Sequence, residues 1–166
     1  MKRFIVPVAA ALCACSQPAE RPPVEGSSLI ENLSIAESDS GASRWRLKAK
    51  DALMEEKKGL IYFNGPAIRF YDEKTVSSEI TSLKGRIFMH DKKAELTGTV
   101  RVNAIRDGMR LATEHLLYSS ARNKIWTEEH VTIYKGKTVI TGRGFTANPD
   151  LSEIEITHQE TRMAPK

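Results

Sequence analysis

The stretch Trp45-Arg46-Leu47-Lys48-Ala49 decides the fold class of this chain, because apolar and basic residues alternate in it at every position. Successive side chains of a β-strand point to opposite faces, so this pattern is typical of a strand with one buried and one solvated face. The same period of two recurs at Ile68-x-Phe70, Val100-x-Val102, Leu111-x-Thr113, Val131-x-Ile133 and Ile154-x-Ile156. Together these runs predict an all-β domain.

Turn-forming clusters separate the strand-like runs and favour tight connections between antiparallel strands. They are Asn64-Gly65-Pro66, Asp72-Glu73-Lys74, Asp91-Lys92-Lys93, Asp107-Gly108, Lys135-Gly136 and Asn148-Pro149-Asp150. The segment 51–58 also suits a short helix, since it contains Ala, Leu, Met and Glu. We predict an extended or looped conformation there, because the corresponding segments further along the chain are not helical in pattern.

A repeat of about thirty residues underlies the alternation. Small residues that follow an apolar residue recur at this interval, at Ala49, Ser82, Thr113 and Gly142. Large apolar residues come thirteen or fourteen positions after each of them, at Phe63, Leu96, Trp126 and Ile156. Each repeat therefore supplies about two strands, and stacked repeats share one core. Small residues at one register suit a place where two sheets approach closely.

The first residues indicate an export signal. Lys2 and Arg3 precede ten apolar residues, 4–13, which would span about 15 Å, half of a bilayer core. Leu12-Cys13-Ala14-Cys15-Ser16 resembles the bacterial lipobox, in which Cys15 would be lipidated and the chain cut before it. The alternative is a secretory signal whose cysteines are incidental.

The chain therefore divides into four predicted parts. Residues 1–14 are the signal, and residues 15–28, with three prolines and several small polar residues, are a lipid-anchored tether. Residues 29–162 form the β-domain, and residues 163–166 are a tail. Both cysteines lie within the first fifteen residues, so the domain must be held by its core and its hydrogen bonds without a disulfide.

The basic balance of the chain does not indicate a nucleic-acid partner. The chain has 25 Lys and Arg against 21 Asp and Glu, a formal charge of +4. Removal of Lys2 and Arg3 with the signal halves this excess. Aromatic residues make up only 7% of the chain, too few for a platform that stacks single-stranded bases. We expect no binding of nucleic acid.

Five segments resemble, in order and spacing, the LptC family of periplasmic lipopolysaccharide-export proteins. They are residues 45–52, Ile80-Thr81-Ser82-Leu83-Lys84-Gly85, Leu96-Thr97-Gly98-Thr99-Val100-Arg101-Val102, Leu111-Ala112-Thr113-Glu114 and Gly142-Arg143-Gly144-Phe145. The resemblance covers about residues 29–160 and implies an open, twisted β-jellyroll. It also implies that a groove between the sheets takes the acyl chains of lipid A. Lipopolysaccharide would come from an inner-membrane ABC transporter and pass to an LptA-like bridge protein.

The chain departs from the best-known members of that family at its amino terminus. Those members keep a transmembrane helix, whereas this chain has the lipobox-like segment, and a lipid anchor could replace the helix as a tether. Ser16 follows the candidate lipidated cysteine, and the enteric sorting rule would send such a lipoprotein to the outer membrane. The family role instead implies a periplasmic domain anchored to the inner membrane, so the sequence is compatible with an anchor in either membrane.

A lipid-binding groove needs inward apolar side chains on both sheets and open ends. The candidates are Leu47, Phe63, Ile68, Phe70, Ile80, Leu96, Val100, Val102, Leu111, Trp126, Val131, Ile133 and Ile140. Ordinary core packing is the alternative for each, and a slip of one residue would turn a side chain outward. Five basic residues near turns are candidates for contact with head-group phosphates, with a solvated strand face as the alternative: Lys92, Lys93, Arg101, Arg106 and Arg110.

The first and last strands are candidate docking edges, since unpaired backbone groups favour addition of a further strand. They span residues 29–36 and 152–162, and Glu153, Glu155 and Glu160 could instead keep the second edge apart from partners. These edges support a second hypothesis, in which the chain is an envelope scaffolding lipoprotein that docks partners without carrying lipid.

Enzymatic chemistry is not indicated. The four histidines, at positions 90, 115, 130 and 158, lack metal-ligand spacing, and the sequence contains neither a Gly-x-Ser-x-Gly motif nor a Gly-rich phosphate loop. We therefore expect no catalytic residues, no metal and no cofactor.

Overall fold

The structure, a computed structural model, describes residues 26–39 and 41–163. The predicted signal, the Cys15 lipidation site, most of the tether and most of the tail lie outside the described residues. Within those ranges the chain forms eleven strands and one short 3-10 turn. The strands are β1 Ser27–Asp39, β2 Ala42–Glu55, β3 Leu60–Asn64, β4 Ala67–Asp72, β5 Thr75–Thr81, β6 Lys84–Phe88, β7 Lys93–Ala104, β8 Arg110–Ser119, β9 Lys124–Lys135, β10 Thr138–Ala147 and β11 Ile154–Met163.

All strands belong to one antiparallel sheet. In the long strands β2 and β7, one part of the strand pairs with one neighbour and another part pairs with a second neighbour. β2 pairs with β4 through residues 45–48 and with β3 through residues 51–55. β7 likewise pairs with β6 through residues 93–97 and with β5 through residues 101–104. β8 to β11 follow beyond β7, and β1 pairs with β2 on its other side. The sheet thus begins at β1 and ends at β11.

A crease divides this sheet into two halves that face each other. The first half-sheet contains β4, β5 and residues 35–39, 42–48, 100–104, 110–113, 130–135, 138–143 and 158–163. The second half-sheet contains β3, β6 and residues 27–33, 51–55, 93–97, 115–119, 124–127, 145–147 and 154–156. Phe70 of the first half and Tyr118 of the second meet edge to face, with ring centroids 5.1 Å apart. The all-β, open jellyroll expected for the chain is confirmed.

Irregular backbone marks the crease. In β7, Gly98 has a φ of 76°, and the register shifts between Thr97 and Val100. A positive φ is natural for glycine, so the strand bends there at little steric penalty. Backbone hydrogen bonds run along the crease from Gly65 N to Leu83 O, 2.8 Å, and from Leu83 N to Gly98 O, 2.9 Å.

The thirty-residue repeat reflects this crease. Ala49 and Thr113 lie where the long strands β2 and β8 cross it, Ser82 lies at the crease in the connection between β5 and β6, and each is buried. At Gly142 a Cβ atom would lie 2.3 Å from Ile156 Cγ2, so no side chain fits between these strands. One repeat corresponds to one hairpin in each half-sheet, after which the chain returns to the crease.

The core fills the space between the half-sheets and follows the alternation of the sequence. Eleven of the thirteen groove candidates are buried there: Leu47, Phe63, Ile68, Phe70, Ile80, Leu96, Val100, Val102, Leu111, Val131 and Ile133. Ile140 is half-buried and packs against this core.

One sequence expectation needs correction, and a second is confirmed only in part. The inward orientation predicted for Trp126 is wrong, because Ile125 and Thr127 on either side of it are buried and Trp126 therefore points to the outer face. There its ring lies 4.3 Å from the Arg122 guanidinium carbon. The segment 51–58 is extended as far as Glu55, but residues 56–58 form a 3-10 turn that ends at Gly59, where φ is 63°.

Candidate functional site

An open apolar cavity of about 320 Å³ lies between the half-sheets, next to the β1 edge of the sheet. The first half-sheet contributes Ile35, Ala36, Glu37, Trp45, Leu47 and Ile68, and the second half-sheet with its turns contributes Ile87, Met89, Lys92, Lys93, Ala94, Tyr118 and Ser120. Met89 is 41% exposed, so apolar surface continues from the cavity to solvent. A cavity with these walls suits an apolar ligand that enters from the side.

Strand register assembles one wall of this cavity. Ile35 of β1 pairs with Leu47 of β2, which in turn pairs with Ile68 of β4. Directly opposite residues on adjacent strands share a face of the sheet, so these three apolar side chains form a row. The next inward pair along β1 and β2 is Glu37 with Trp45, which brings a carboxylate and an indole ring to the mouth.

Glu37 is the centre of a polar network at this mouth. Its Oε2 atom accepts hydrogen bonds from Trp45 Nε1 at 2.6 Å and from Ser120 Oγ at 2.5 Å. Arg44 Nη1 lies 3.5 Å from the other carboxylate oxygen. Burial raises the pKa of Glu37, but the hydrogen bonds from Ser120 and Trp45 and the nearby cations outweigh it, so the pKa lies below its usual value of 4.5.

Tyr118 lies behind this network with its side chain almost fully buried. Its ring meets Trp45 edge to face, with centroids 6.4 Å apart. Within the described part of the chain no group meets its hydroxyl at standard hydrogen-bond distance and angle, although the Ser120 hydroxyl is close enough to act on it by hydrogen bonding. Burial raises the pKa of the Tyr118 phenol, and the Glu37 carboxylate adds to the rise, while Ser120 and Arg44 oppose it.

A second cavity, of about 260 Å³, adjoins the first. Trp45 and Tyr118 line both cavities, so these two residues lie between the two spaces. The remaining walls of the second cavity are mostly polar: Arg44, Phe70, Tyr71, Asp72, Ser77, Asn123, Asn148, Pro149 and Asp150. An apolar and a polar compartment thus lie side by side.

Some of the predicted site residues lie at the two cavities, and others lie elsewhere in the structure. Of the groove candidates, Leu47 and Ile68 line the apolar cavity and Phe70 lines the polar one. Of the basic candidates, Lys92 and Lys93 lie at the apolar cavity. Arg101 and Arg110 instead line a shallow depression beside Tyr134, and Arg106 lies at the β7–β8 turn.

Sequence reasoning missed several lining residues, among them Ile35, Ile87 and Tyr118. Their alternation predicts burial, but burial alone does not separate cavity walls from closed core. The alternation around Trp45 predicts only a strand, although an aromatic residue with a polar N–H at the start of a buried run is a signal for a partly solvated site.

Metal and membrane chemistry can be stated for the described ranges only. Residues 26–39 and 41–163 contain no group of three or more His, Cys, Asp or Glu side chains placed to hold a metal ion. In the same ranges no helix is long and apolar enough to cross a membrane.

One antiparallel sheet folded on a crease around an apolar cavity defines an open β-jellyroll protein. The family described as "Lipopolysaccharide-assembly, LptC-related" matches residues 12–162, nearly the whole chain. The chain belongs to the LptC family, and its role lies in lipopolysaccharide transport. A search of curated proteins found no match.

Among solved structures, the chain is similar to LptH of Pseudomonas aeruginosa. That protein is described as the LptA homologous periplasmic component of the conserved lipopolysaccharide transport device. The two share 9% sequence identity with a TM-score of 0.57, over 73% of this chain and 95% of LptH. At this identity the likeness concerns the fold.

Proposed function

We propose that this protein is a periplasmic carrier that holds the acyl chains of lipopolysaccharide between its half-sheets. The observation that carries the proposal is the open apolar cavity beside β1, walled by Ile35, Leu47, Ile68 and Ile87. Each acyl methylene moved from water into such a space contributes about 0.8 kcal/mol. Binding therefore requires no chemistry beyond burial.

Lys92 and Lys93 complete the site on its polar side. Both residues lie at the apolar cavity, and ammonium groups attract phosphates at close range. We propose that they meet head-group phosphates while the acyl chains enter the cavity. This arrangement matches an amphiphile whose charged groups stay near solvent.

The carrier would act between an inner-membrane ABC transporter and an LptA-like bridge protein. Membership of the LptC family and the fold shared with LptH support this position. We further propose that lipidation of Cys15 anchors the domain to a membrane, with the inner membrane favoured by the family role. The transporter would supply the energy for movement.

Docking without lipid transport is the second candidate function. β1 pairs only with β2, and β11 pairs only with β10, within the described chain. Such edges accept strands from partners. A scaffolding lipoprotein would use these edges and leave the cavity empty.

Photo-crosslinking in cells separates the two functions. A photoreactive residue at Ile87, which lines the cavity, should become labelled by lipopolysaccharide. The matched control is Leu53 in β2, which is 39% exposed and lies outside the cavity. Labelling by lipopolysaccharide at Ile87 and not at Leu53 supports the carrier, whereas labelling at Ile87 by protein alone supports the scaffold.

A further inference from the structure

The hydrogen bond between Ser120 and Glu37 joins the two half-sheets at the cavity mouth. Glu37 belongs to β1 in the first half-sheet, and Ser120 directly follows β8 in the second. Because the same carboxylate oxygen also accepts the Trp45 indole N–H, it fixes the indole ring relative to the opposite half-sheet. Two bonds to one ionised oxygen are charge-assisted and stronger than neutral ones.

The Trp45 and Tyr118 rings are the partition between the apolar and the polar cavity. Each of the two residues lines both spaces, and their rings meet edge to face with an angle of 82° between the ring planes. Trp45 is only half-buried, so its ring can turn toward solvent together with Glu37 once the bond from Ser120 no longer fixes that carboxylate. A turn of that ring would join the two cavities.

The apolar cavity is small for a lipid with several acyl chains. Its volume of about 320 Å³ lies at the lower end of the roughly 300–1,000 Å³ typical of ligand sites. The neighbouring cavity adds about 260 Å³. The joined space would also be amphipathic, with apolar walls at one end and Arg44, Asn123 and Asn148 at the other.

The Tyr118 hydroxyl offers an alternative to the hydrogen bond between Ser120 and Glu37. It is buried and has no partner at standard hydrogen-bond geometry in the described chain; the Ser120 hydroxyl is the hydrogen-bonding group that acts on it, and the charges of Glu37 and Arg44 act on it as well. A buried hydroxyl without a partner is unfavourable. If the bond between Ser120 and Glu37 breaks, the Ser120 hydroxyl becomes free to form a full hydrogen bond with Tyr118, which offsets part of the loss. Two arrangements of similar free energy are what a switchable contact requires.

We propose that Glu37 is a positioning residue that controls the size of the cavity. Its hydrogen bond with Ser120, called the latch here, keeps the Trp45–Tyr118 partition closed. Release of this bond joins the two cavities into one site for an amphiphile with several acyl chains. The inference rests on the proposed carrier function. Under this proposal Glu37, Trp45, Tyr118 and Ser120 control the size of the cavity, whereas the apolar walls contact the acyl chains.

Two probes test the latch in the purified full-length protein. Dodecanoic acid, with one chain, is suited to the closed cavity, whereas lipopolysaccharide needs the joined one. Ser120→Ala removes the bond that crosses the mouth, so it raises the fraction of open protein. Because apparent affinity scales with the competent fraction, we expect lipopolysaccharide to bind roughly three- to tenfold more tightly and dodecanoic acid to change less than twofold.

Three further variants complete the design. Glu37→Gln should act in the same direction as Ser120→Ala, because it removes the charge that strengthens both bonds. Ser120→Thr retains a hydroxyl and should behave like the wild type. Glu79→Gln breaks an ion pair of 2.7 Å with Arg69 that lies at neither cavity and should leave both affinities unchanged.

The outcomes separate the latch from the carrier function. If the wild type binds neither probe, the carrier function fails and the latch fails with it. If the wild type binds lipopolysaccharide but Ser120→Ala and Glu37→Gln leave the ratio of the two affinities unchanged, the latch alone is overturned. If a variant does not fold, Trp45 fluorescence in Trp126→Phe takes its place. Both ligands contact Trp45, but only lipopolysaccharide requires its ring to turn, so the two ligands should give different emission maxima. Identical spectra with the two ligands overturn the latch.

Discussion

Gly85 of β6 faces its neighbours so closely that only a hydrogen atom fits at its Cα. A Cβ atom there would lie 2.3 Å from Phe63 Cε2 and 2.8 Å from Leu96 Cδ2. Both neighbours are buried, so neither ring nor methyl group can move aside without disturbing the core.

We expect Gly85→Ala to lower the free energy of unfolding by about 1–3 kcal/mol, because it overpacks the core. Urea denaturation followed by circular dichroism measures the change. Lys84→Ala, in the neighbouring exposed position of the same strand, should change stability far less. Equal stability of the wild type and Gly85→Ala would show that β6 lies further from β3 and β7 than described.

Glu95 forms a charged cluster on the outer face of β7. Its carboxylate accepts hydrogen bonds from Arg86 Nε at 2.7 Å and contacts His115 Nε2 at 3.1 Å. Burial raises the pKa of Glu95, but the bonds with Arg86 and His115 outweigh it, so the pKa lies below 4.5. A lowered pKa means that the ionised carboxylate stabilises the folded state.

This stabilisation is complete above the unfolded-state pKa and disappears as the pH falls through the lowered folded-state pKa. Glu95→Gln should therefore be less stable than the wild type at pH 7, and the difference should narrow below about pH 4.5. Unfolding free energies measured from pH 7 to pH 3 check this. Glu128→Gln, which changes an exposed carboxylate, is the control. A difference for Glu95→Gln that stays constant over this range would refute the prediction.

At the scale of strands, the sequence predicts those features that depend only on the polarity of each residue, such as the position of a strand. The alternation from Trp45 to Ala49 identifies β2, because period two depends only on local polarity. Ile125 and Trp126 are adjacent and both large and apolar, so alternation alone does not say which points inward. The structure resolves this through the pairing of β9 with β8 and β10.

The candidate site was harder to predict because its walls come from distant parts of the chain. Trp45 and Tyr118 lie far apart in sequence and meet only when the half-sheets close over the crease. Likewise, Ile35 joins Leu47 only through the register of β1 on β2. Register and closure are long-range properties that no local pattern contains.

The unpaired edge of β11 leads to a separate prediction about the docking of a partner protein. If β11 is where an LptA-like partner adds a strand, a photoreactive residue at Glu155, which is exposed on this strand, should capture that partner in cells. Tyr134, 41% exposed on β9, lies within the sheet and serves as the control. Capture at both positions, or at neither, would argue against docking at this edge.

For the whole molecule, one sheet folded on a crease explains how a single domain can be both stable and open. The buried core holds the half-sheets together, while the cavity at the β1 edge reaches solvent. Closed barrels lack sheet edges, whereas this sheet keeps an edge at β1 and another at β11. The proposed carriage and the proposed docking therefore involve separate parts of one domain.

Attachment of the domain to a membrane is the property to test at Cys15. We expect Cys15→Ser to leave an unprocessed precursor that carries no acyl label, since the thiol is the acceptor in a lipobox. Metabolic labelling with a fatty acid, together with gel mobility, measures both effects. Cys13→Ser is the matched control and should be processed normally. Normal processing of Cys15→Ser, together with no acyl label on the wild type, would leave the secretory signal as the explanation.

The central claim is that acyl chains enter the cavity between the half-sheets, and the two tryptophans of the chain allow the most direct test. Trp45 lines the cavity and Trp126 lies on the outer face. Lipopolysaccharide with brominated acyl chains quenches indole fluorescence only at short range. We predict quenching of Trp45 in Trp126→Phe and little quenching of Trp126 in Trp45→Phe. Equal quenching of both, or quenching of Trp126 alone, would contradict the account.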